Sequence, residues 1–541
     1  MISDIASWPQ ELADALHNVL CRRLPPDHNT EQELKPIIGR LIEATSAGWL
    51  SITIDSVDVE QTICDSGWLD PLVGPLVLSD GQLFWKRWHD ELKMVSDNLL
   101  QRAANPPSLN ESGLAVQSQN LNWEQRMAIN AIGRERVILL SGSPGTGKTS
   151  TIQGMLQRAR ALNPELRIGL AAPTGKAARR LLQIIGDIPG AISCGTLHHW
   201  LEARREKFGR NARHPLNLDL LIVDEMSMVD LRLMQALLNA LPSQTCLVLV
   251  GDPDQLNPIG LGPVWRYLQQ PKVKQQFGKT SFHLHHVYRS RGDLARLGVV
   301  LRNRGEKAFW NNLEVVARQK SGKTIISWQQ EEITVVPELL QNRLRLHRDA
   351  LETAARNLDL DKIQSMPSLV QDLFRQLESL MVLCPRRHGY WSVEAIHSNL
   401  LPFLPSELAQ PLTWPVGTPV MCMENQPDLN LANGDLGVVI GDRERQRLLF
   451  GDAGTTNNPC IRVVYPARLR NVEPAYAMTV HKAQGSEADD VILLWPEVVA
   501  NDRGLARRQL LYTAITRAKY QLWIITPLQR RSCTASTPTA E

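Results

Sequence analysis

Gly142-Ser143-Pro144-Gly145-Thr146-Gly147-Lys148-Thr149 is the stretch on which the fold turns. It fits the pattern G-x-x-x-x-G-K-[ST], in which glycines let the backbone turn its N–H groups toward phosphate oxygens. The run Val137-Ile138-Leu139-Leu140 precedes it and a helical pattern follows. That setting places a helix N-terminus behind the bound phosphates. The reading is a nucleoside triphosphate site, with ATP cradled by Gly142, Ser143, Pro144, Gly145, Thr146 and Gly147. Lys148 would reach the β- and γ-phosphates, and Thr149 would ligate Mg²⁺.

Working outward, further apolar runs alternate with helical patterns. Arg136 to Leu140, Ile168 to Ala172, Leu218 to Val223 and Thr245 to Val250 read as buried strands, each ending in a polar motif. Strands alternating with helices predict a parallel sheet covered on both faces, with its ligand at the carboxyl edge. Leu220-Leu221-Ile222-Val223 ends in Asp224-Glu225, about 75 residues beyond the phosphate loop. Asp224 is expected to hold the Mg²⁺ shell and Glu225 to polarise the attacking water. Leu247-Val248-Leu249-Val250 ends in Gly251-Asp252-Pro253-Asp254-Gln255, where Gln255 is placed to sense a γ-phosphate. Arg289 and Arg517 are candidates to complete the site from a neighbouring domain. An arginine presented across a cleft couples hydrolysis to motion; taken alone, either is more often a surface ion-pair partner.

A second set of strands is expected at Leu380 to Leu383, Val491 to Leu494 and Leu522 to Ile525. Between them, Val416 to Met423, Gly437 to Ile440, Arg447 to Phe450 and Cys460 to Tyr465 read as short strands joined by Asn-Gly and Asp-Ala-Gly turns, a small all-β insertion. The polar, Pro-Pro-containing stretch from Gln101 to Asn120 reads as a linker. Glu202 to Pro215 is strongly basic and too short for a domain, so it is expected to project as a hairpin. Asp359 and Asp361 read as surface residues of a helix.

A chain of 541 residues is too long for one core. Its net charge of +3 is unevenly placed: residues 1–100 carry 7 Lys+Arg against 16 Asp+Glu, which leaves an excess of 12 positive charges on the remainder. A motor running on a polyanion needs that distribution. The acidic first hundred residues read as a docking domain, with a merely solvated surface as the alternative. No apolar run approaches a membrane span and no secretory leader is read, so a cytoplasmic protein without a membrane partner is expected. The eight cysteines stand singly with no C-x-x-C, the pattern of buried reduced thiols.

Taken together these motifs resemble the superfamily 1 helicases, and within them the RecD family, the α subunits of exodeoxyribonuclease V. The resemblance covers roughly residues 120 to 526. It includes Ala171-Ala172-Pro173-Thr174-Gly175-Lys176, Gly195-Thr196-Leu197-His198, Asp224-Glu225-Met226-Ser227-Met228, Cys384-Pro385-Arg386-Arg387 and Asn433-Gly434-Asp435-Leu436-Gly437. It continues through Ala477-Met478-Thr479-Val480-His481-Lys482-Ala483-Gln484-Gly485-Ser486-Glu487 and Leu511-Tyr512-Thr513-Ala514-Ile515-Thr516-Arg517.

The resemblance implies an α/β fold: two RecA-like P-loop NTPase domains with ATP between them, a small β-barrel insertion and a mainly helical N-terminal domain. The implied boundaries are 1–110 for the docking domain and 120–275 for the first motor domain, with a basic hairpin near 200–215. The second motor domain would span 276–411 and 473–530, the barrel 412–472, and a disordered tail 531–541. It further implies 5′-to-3′ translocation on single-stranded DNA from duplex ends, with RecB and RecC as partners in double-strand break repair and recombination. Another chain would carry the nuclease.

By the same resemblance Thr174, Lys176, Thr196, His198, Thr479 and His481 would hold the DNA backbone, which carries a motor along without reading sequence. For the two histidines a structural role is the alternative. Gln125 takes the place of the adenine-reading glutamine, Tyr288 would stack on the base, and Gly485 and Glu487 belong to a nucleotide-side motif. A free-standing RecD-like helicase, an RNA helicase and a structural subunit with a decayed ATPase are the competing readings; intact Lys148, Asp224, Glu225, Gln255 and Arg517 weigh against the last.

Overall fold

Every residue of Val137–Gly142 is buried, as a strand with helices on both faces of its sheet must be. The computed structural model describes residues 8–26, 28–107, 121–185, 188, 192–204, 207–288, 292–319, 325–400, 414–442, 445–451, 461–496 and 504–528. In it six parallel strands lie in the order Ser281–Leu284, Val137–Gly142, Cys246–Gly251, Leu220–Val223, Ile168–Ala172 and Ile192–Thr196. The four inner strands are those the apolar runs predict, with ends shifted by a residue or two. Both edge strands escape that pattern. Ile192–Thr196 reads ISCGT and Ser281–Leu284 reads SFHL, half-buried for most of their length, so neither carries the continuous apolar run of a central strand.

The residues fall into two compact units. The first runs from the N-terminus to residue 285 without 144–146 and 174–186; the second holds those two stretches and everything from 286 onward. Within the first unit the acidic N-terminal part consists of four helices, Trp8–Arg23, His28–Ser46, Val57–Asp65 and Lys86–Ala103, with a three-stranded antiparallel sheet of Ser51–Thr53, Gln82–Trp85 and Leu76–Ser79. Its core is built on Leu34, Ile38, Leu41, Ile63 and Trp68.

The fourth of these helices packs against Leu231–Ala240, and Arg102 closes the joint. Its buried guanidinium donates to the carbonyls of Leu238, Leu241 and Pro242 at 3.2, 2.8 and 2.7 Å. These are the acceptors a helix C-terminus leaves open. Burial first, and the neighbouring Arg136 second, make the Arg102 proton easier to lose than usual.

The second unit has a five-stranded parallel sheet in the order Ile325–Glu331, Ala518–Pro527, Ala488–Leu494, Leu380–Cys384 and Met478–Thr479. The three inner strands are the expected ones; the polar IISWQQE of Ile325–Glu331 and the two-residue Met478–Thr479 are additions at the edges. A separate five-stranded antiparallel sheet follows the order Arg462–Val464, Arg447–Phe450, Leu436–Ile440, Pro419–Cys422 and Val472–Pro474. The expected strand Val416 to Met423 shortens to Pro419–Cys422, because Pro415, Gly417 and Thr418 form the turn that enters it. Of Cys460 to Tyr465, Arg462–Val464 is strand, and Cys460 lies outside the described residues.

The basic segment is a small hairpin at its base: Ala203–Arg204 pairs antiparallel with Lys207–Phe208, and residues 205 and 206 between them lie outside the described residues. So do most of the linker (108–120) and the tail from 529 on. Asp359 and Asp361 are exposed but not helical, which corrects the sequence reading. The helix Glu338–Arg356 has ended, Asp359 accepts the Asp361 N–H at 2.9 Å in a side-chain-closed turn, and Asp361 pairs with Arg445 at 2.7 Å. Among the described residues the cysteines are free thiols. Cys384 and Cys422 are buried as expected, whereas Cys64 is exposed. No helix among the described residues is long and apolar enough to cross a membrane.

Candidate nucleotide site

Strand register brings the first unit's motifs to one edge. Leu139, Leu249, Val223 and Ala171 lie side by side across four strands, so Ser141-Gly142, Gly251-Asp252 and Asp224-Glu225 leave the sheet together at its carboxyl ends. This is where open parallel sheets hold their ligands.

The loop itself requires its glycines. Gly145 and Gly147 have φ of 79° and 83°, left-handed values that cost a side chain about 1 kcal/mol or more. Gly147 caps the helix Lys148–Leu162. Lys148 Nζ folds across the loop and donates to the carbonyls of Gly142 and Ser143 at 2.7 and 3.1 Å. Thr146 is buried, while Ser143, Pro144, Lys148 and Thr149 are half-buried.

Asp224 accepts the Glu225 N–H at 2.8 Å, and Glu225 takes φ 54°, ψ 44°. A left-handed glutamate is a strained residue of the kind that collects at functional sites. The Thr149 hydroxyl and the Asp224 carboxylate are hard oxygen donors of the type Mg²⁺ prefers.

Asp252, part of the quoted motif but given no role from sequence, is buried behind this edge. Its carboxylate accepts the Asp254 N–H at 3.0 Å and the Gln255 side-chain N–H at 3.4 Å, so it holds the candidate γ-phosphate sensor. Burial raises its pKa to about 6, against the opposing pull of the Lys148 charge.

Gln125 is the third residue of helix Trp123–Asn130 and is buried. It closes a capping box: its N–H donates to Asn122 Oδ1 at 2.8 Å and its Oε1 accepts the Asn122 N–H at 3.0 Å. Its Nε2 reaches the Gly147 carbonyl at 3.4 Å. The amide is thus tied to the phosphate loop as well as to its own helix.

The second unit gathers the other residues. Tyr288 donates its N–H to the Gly145 carbonyl at 2.8 Å, and its ring meets that of His286 edge-on at 4.5 Å. Arg289 lies outside the described residues. Arg517 is buried, its guanidinium donating to the carbonyls of Thr513 and Ser486 at 3.0 and 3.2 Å and to the Thr516 hydroxyl at 3.3 Å. That brings it to the Gly485-Ser486-Glu487 motif, where Gly485 has φ 73° and Glu487 pairs with Arg180 at 3.6 Å.

The candidate DNA hydroxyls are engaged in turns. Thr174 accepts the Ala177 N–H at 3.3 Å, Thr479 accepts the Lys482 N–H at 3.4 Å, and in the first unit Thr196 caps Leu197–Trp200 by accepting the His199 N–H at 3.1 Å. Each accepts, so each keeps an O–H able to donate to a phosphate. Lys176 is half-buried; His198 and His481 are exposed.

One cluster has residues in the quoted motifs, but its pairing has no signal in the sequence. Asp435, buried, pairs with Arg179 and, at 3.4 Å, with Arg462. This ties the helix Gly175–Ile185 to the antiparallel sheet of the same unit. Lys482 donates to Asn433 at 2.7 Å beside it.

The chain matches the family model of an AAA domain over residues 125–261 and that of a UvrD-like helicase C-terminal domain over residues 474–525. It is 31% identical over 539 residues to the RecBCD enzyme subunit RecD of Mycolicibacterium smegmatis, covering 90% of this chain and 88% of that relative. It is 30% identical over 410 residues to the ATP-dependent RecD2 DNA helicase of Deinococcus radiodurans, covering 74% of this chain and 48% of that one. Among solved structures, Bacteroides Pif1 bound to ssDNA aligns with a TM-score of 0.43 at 17% identity, over 75% of this chain and 92% of that one.

Proposed function

The chain belongs to the RecD family of superfamily 1 helicases, and from that premise we propose that it is an ATP-driven DNA helicase that translocates 5′ to 3′ as one subunit of a RecBCD-type complex. RecB and RecC are its partners in this reading, duplex DNA ends its substrate, double-strand break repair and recombination its setting, and the cytoplasm its place. The observation that carries the reading is the register of the first sheet, which delivers the Lys148 loop, Asp224-Glu225 and Asp252 to one edge.

In this reading Lys148 leaves the loop carbonyls for the β- and γ-phosphates, satisfying its ammonium with stronger, charge-assisted bonds. Thr149 and Asp224 hold Mg²⁺, whose contribution when bound is to neutralise charge on the phosphoryl oxygens. Glu225 orients the attacking water, and Gln255, aimed by Asp252, registers the γ-phosphate. Gln125 and Tyr288 hold the adenine, with Gly485 and Glu487 on the nucleotide side. Arg289 and Arg517 stabilise transition-state charge when the two motor domains close. For Arg517 this requires release from Thr513 and Ser486, so hydrolysis and closure become one event.

Thr174, Lys176, Thr196, His198, Thr479 and His481 grip the DNA backbone. The antiparallel sheet forms the family's β-barrel, the basic hairpin near 200–215 splits the strands, and the acidic N-terminal part docks on RecC.

The test is unwinding by the native complex of duplexes bearing a 5′ or a 3′ overhang. Activity of this motor confined to 5′ overhangs is expected; a preference for 3′ overhangs would overturn the assignment. Lys148→Gln is expected to leave the complex assembled and lower ATP turnover by the isolated chain at least ~100-fold, the scale of losing a phosphate-positioning charge. Unchanged turnover would refute the site.

A further inference from the structure

Glu124 stands beside Gln125 on the first turn of helix Trp123–Asn130, and its surroundings do not suit a helix-end carboxylate. Such a residue is favoured by the helix dipole while staying in water. Glu124 instead has a side chain only 10% exposed, and a buried carboxylate must be compensated by specific bonds.

Two of its bonds go to one residue 161 positions away. Glu124 Oε2 accepts the His285 backbone N–H at 2.8 Å, and Oε1 faces His285 Nδ1 at 2.8 Å. The grip is two-pointed, on backbone and ring at once, so it fixes the direction in which the chain leaves His285 as well as its position. The strand Ser281–Leu284 ends immediately before this point. The preceding histidine is held too: His283 Nδ1 lies 2.9 Å from Ser141 Oγ, and its ring meets that of His285 at 4.4 Å. Three residues further on, the Tyr288 N–H is bonded to the Gly145 carbonyl. The segment 285–288 is therefore fastened to Glu124 at its start and to the phosphate loop at its end.

We propose that Glu124 is the positioning residue for base recognition: by clasping His285 it sets the path of the segment that presents Tyr288 to the adenine, and the same helix turn presents Gln125. This rests on the reading of Gln125 and Tyr288 as the adenine contacts. Glu124 touches no nucleotide itself. Its loss costs the preorganisation of the base site and leaves the phosphate loop intact.

The experiment measures ATPase and GTPase kinetics of the full chain as wild type, Glu124→Ala, Glu124→Gln and His285→Ala, together with inhibition by inorganic tripolyphosphate. The His285 side chain is 74% exposed, so His285→Ala removes half of the clasp without disturbing a core. Expected for Glu124→Ala is a KM for ATP raised about tenfold with kcat within about twofold, the pattern of lost uniform binding. The ATP-to-GTP preference should fall by the same factor and the tripolyphosphate inhibition constant should stay put. Glu124→Gln, which keeps one acceptor, and His285→Ala should each fall in between. A merely structural role would lower the active fraction and leave the base preference unmoved. Wild-type preference retained in Glu124→Ala overturns the clasp alone; a wild type with no preference for ATP over GTP overturns both the adenine reading and the clasp.

Discussion

Asp252 carries an unfavourable charge by design of its position. Its carboxyl is buried, keeps its proton up to about pH 6 against an ordinary value of 3.8, and spends its acceptors on Asp254 and Gln255. For an acid whose folded pKa is raised, the folded state binds the proton more tightly than the unfolded one. Its contribution is favourable below pH 3.8 and is lost as pH rises through about 6. The full difference is worth at most about 3 kcal/mol. Asp252→Asn keeps the acceptor for Asp254 and removes the charge. It should raise the nucleotide-free stability of the first unit by about 1–3 kcal/mol at pH 8 and change it little at pH 4. ATP turnover should fall about tenfold, because the carboxylate that aims Gln255 is gone. Denaturant melts at the two pH values decide it, and an equal effect at both would show that the site is not charged when folded.

The joint between the helices Lys86–Ala103 and Leu231–Ala240 combines a shared apolar core and a Gln235-to-Glu91 bond at 3.3 Å with the fork of Arg102. Arg102→Ala removes the donors to three carbonyls at a helix end and should cost about 2–3 kcal/mol, seen as a lower urea midpoint; Arg102→Lys, with one compact ammonium in place of a planar fork, should recover less than half. If Arg102→Ala matches wild type, water replaces the guanidinium and the joint is not held this way. Nothing local in Asn98 to Ala103 announces this, because the partners lie about 140 residues downstream. The same distinction governs the rest of the molecule. Ile168–Ala172 and Arg447–Phe450 fall where their apolar runs place them, since central strands need uninterrupted apolar residues. The edge strands Ser281–Leu284 and Ile325–Glu331 are made by a neighbour's hydrogen bonds, and their composition does not call for them. The phosphate loop is equally plain because its glycines and lysine are local to one turn. Glu124 with His285 and Asp435 with Arg179 and Arg462 join distant segments, and a charged residue reads the same in a sequence whether it faces water or a remote arginine.

At the scale of the whole molecule the two units should respond oppositely to acid. In the second unit, His347 and His397 are buried and kept neutral, with pKa values pushed down to about 4 from 6.5. Burial is the first cause for both, and for His397 the nearby Arg387 charge adds to it. His397 also accepts the Ala477 N–H at 3.2 Å through Nε2, a bond that protonation would destroy. For a base whose folded pKa is depressed, the unfolded chain binds the proton first. The stability these histidines allow is present above pH 6.5 and is lost as pH falls toward 4, by at most about 3 kcal/mol each. Asp252 gives the first unit the reverse slope between pH 6 and 3.8. Asp70 and Asp219, which the first unit holds below the usual carboxylate range through bonds to backbone N–H groups and to Arg167, act only at lower pH. Calorimetry of the isolated chain should therefore show the second unit's transition moving down by several degrees between pH 7.5 and pH 5 while the first unit's stays or rises. The double variant His347→Leu, His397→Gln should reduce the movement, since leucine fills the buried site without a titrating group and glutamine can still accept the Ala477 N–H; what is left falls to His481, which the same unit also holds below its ordinary pKa. A second-unit transition that moves with pH in the variant as it does in the wild type would place the acid sensitivity elsewhere.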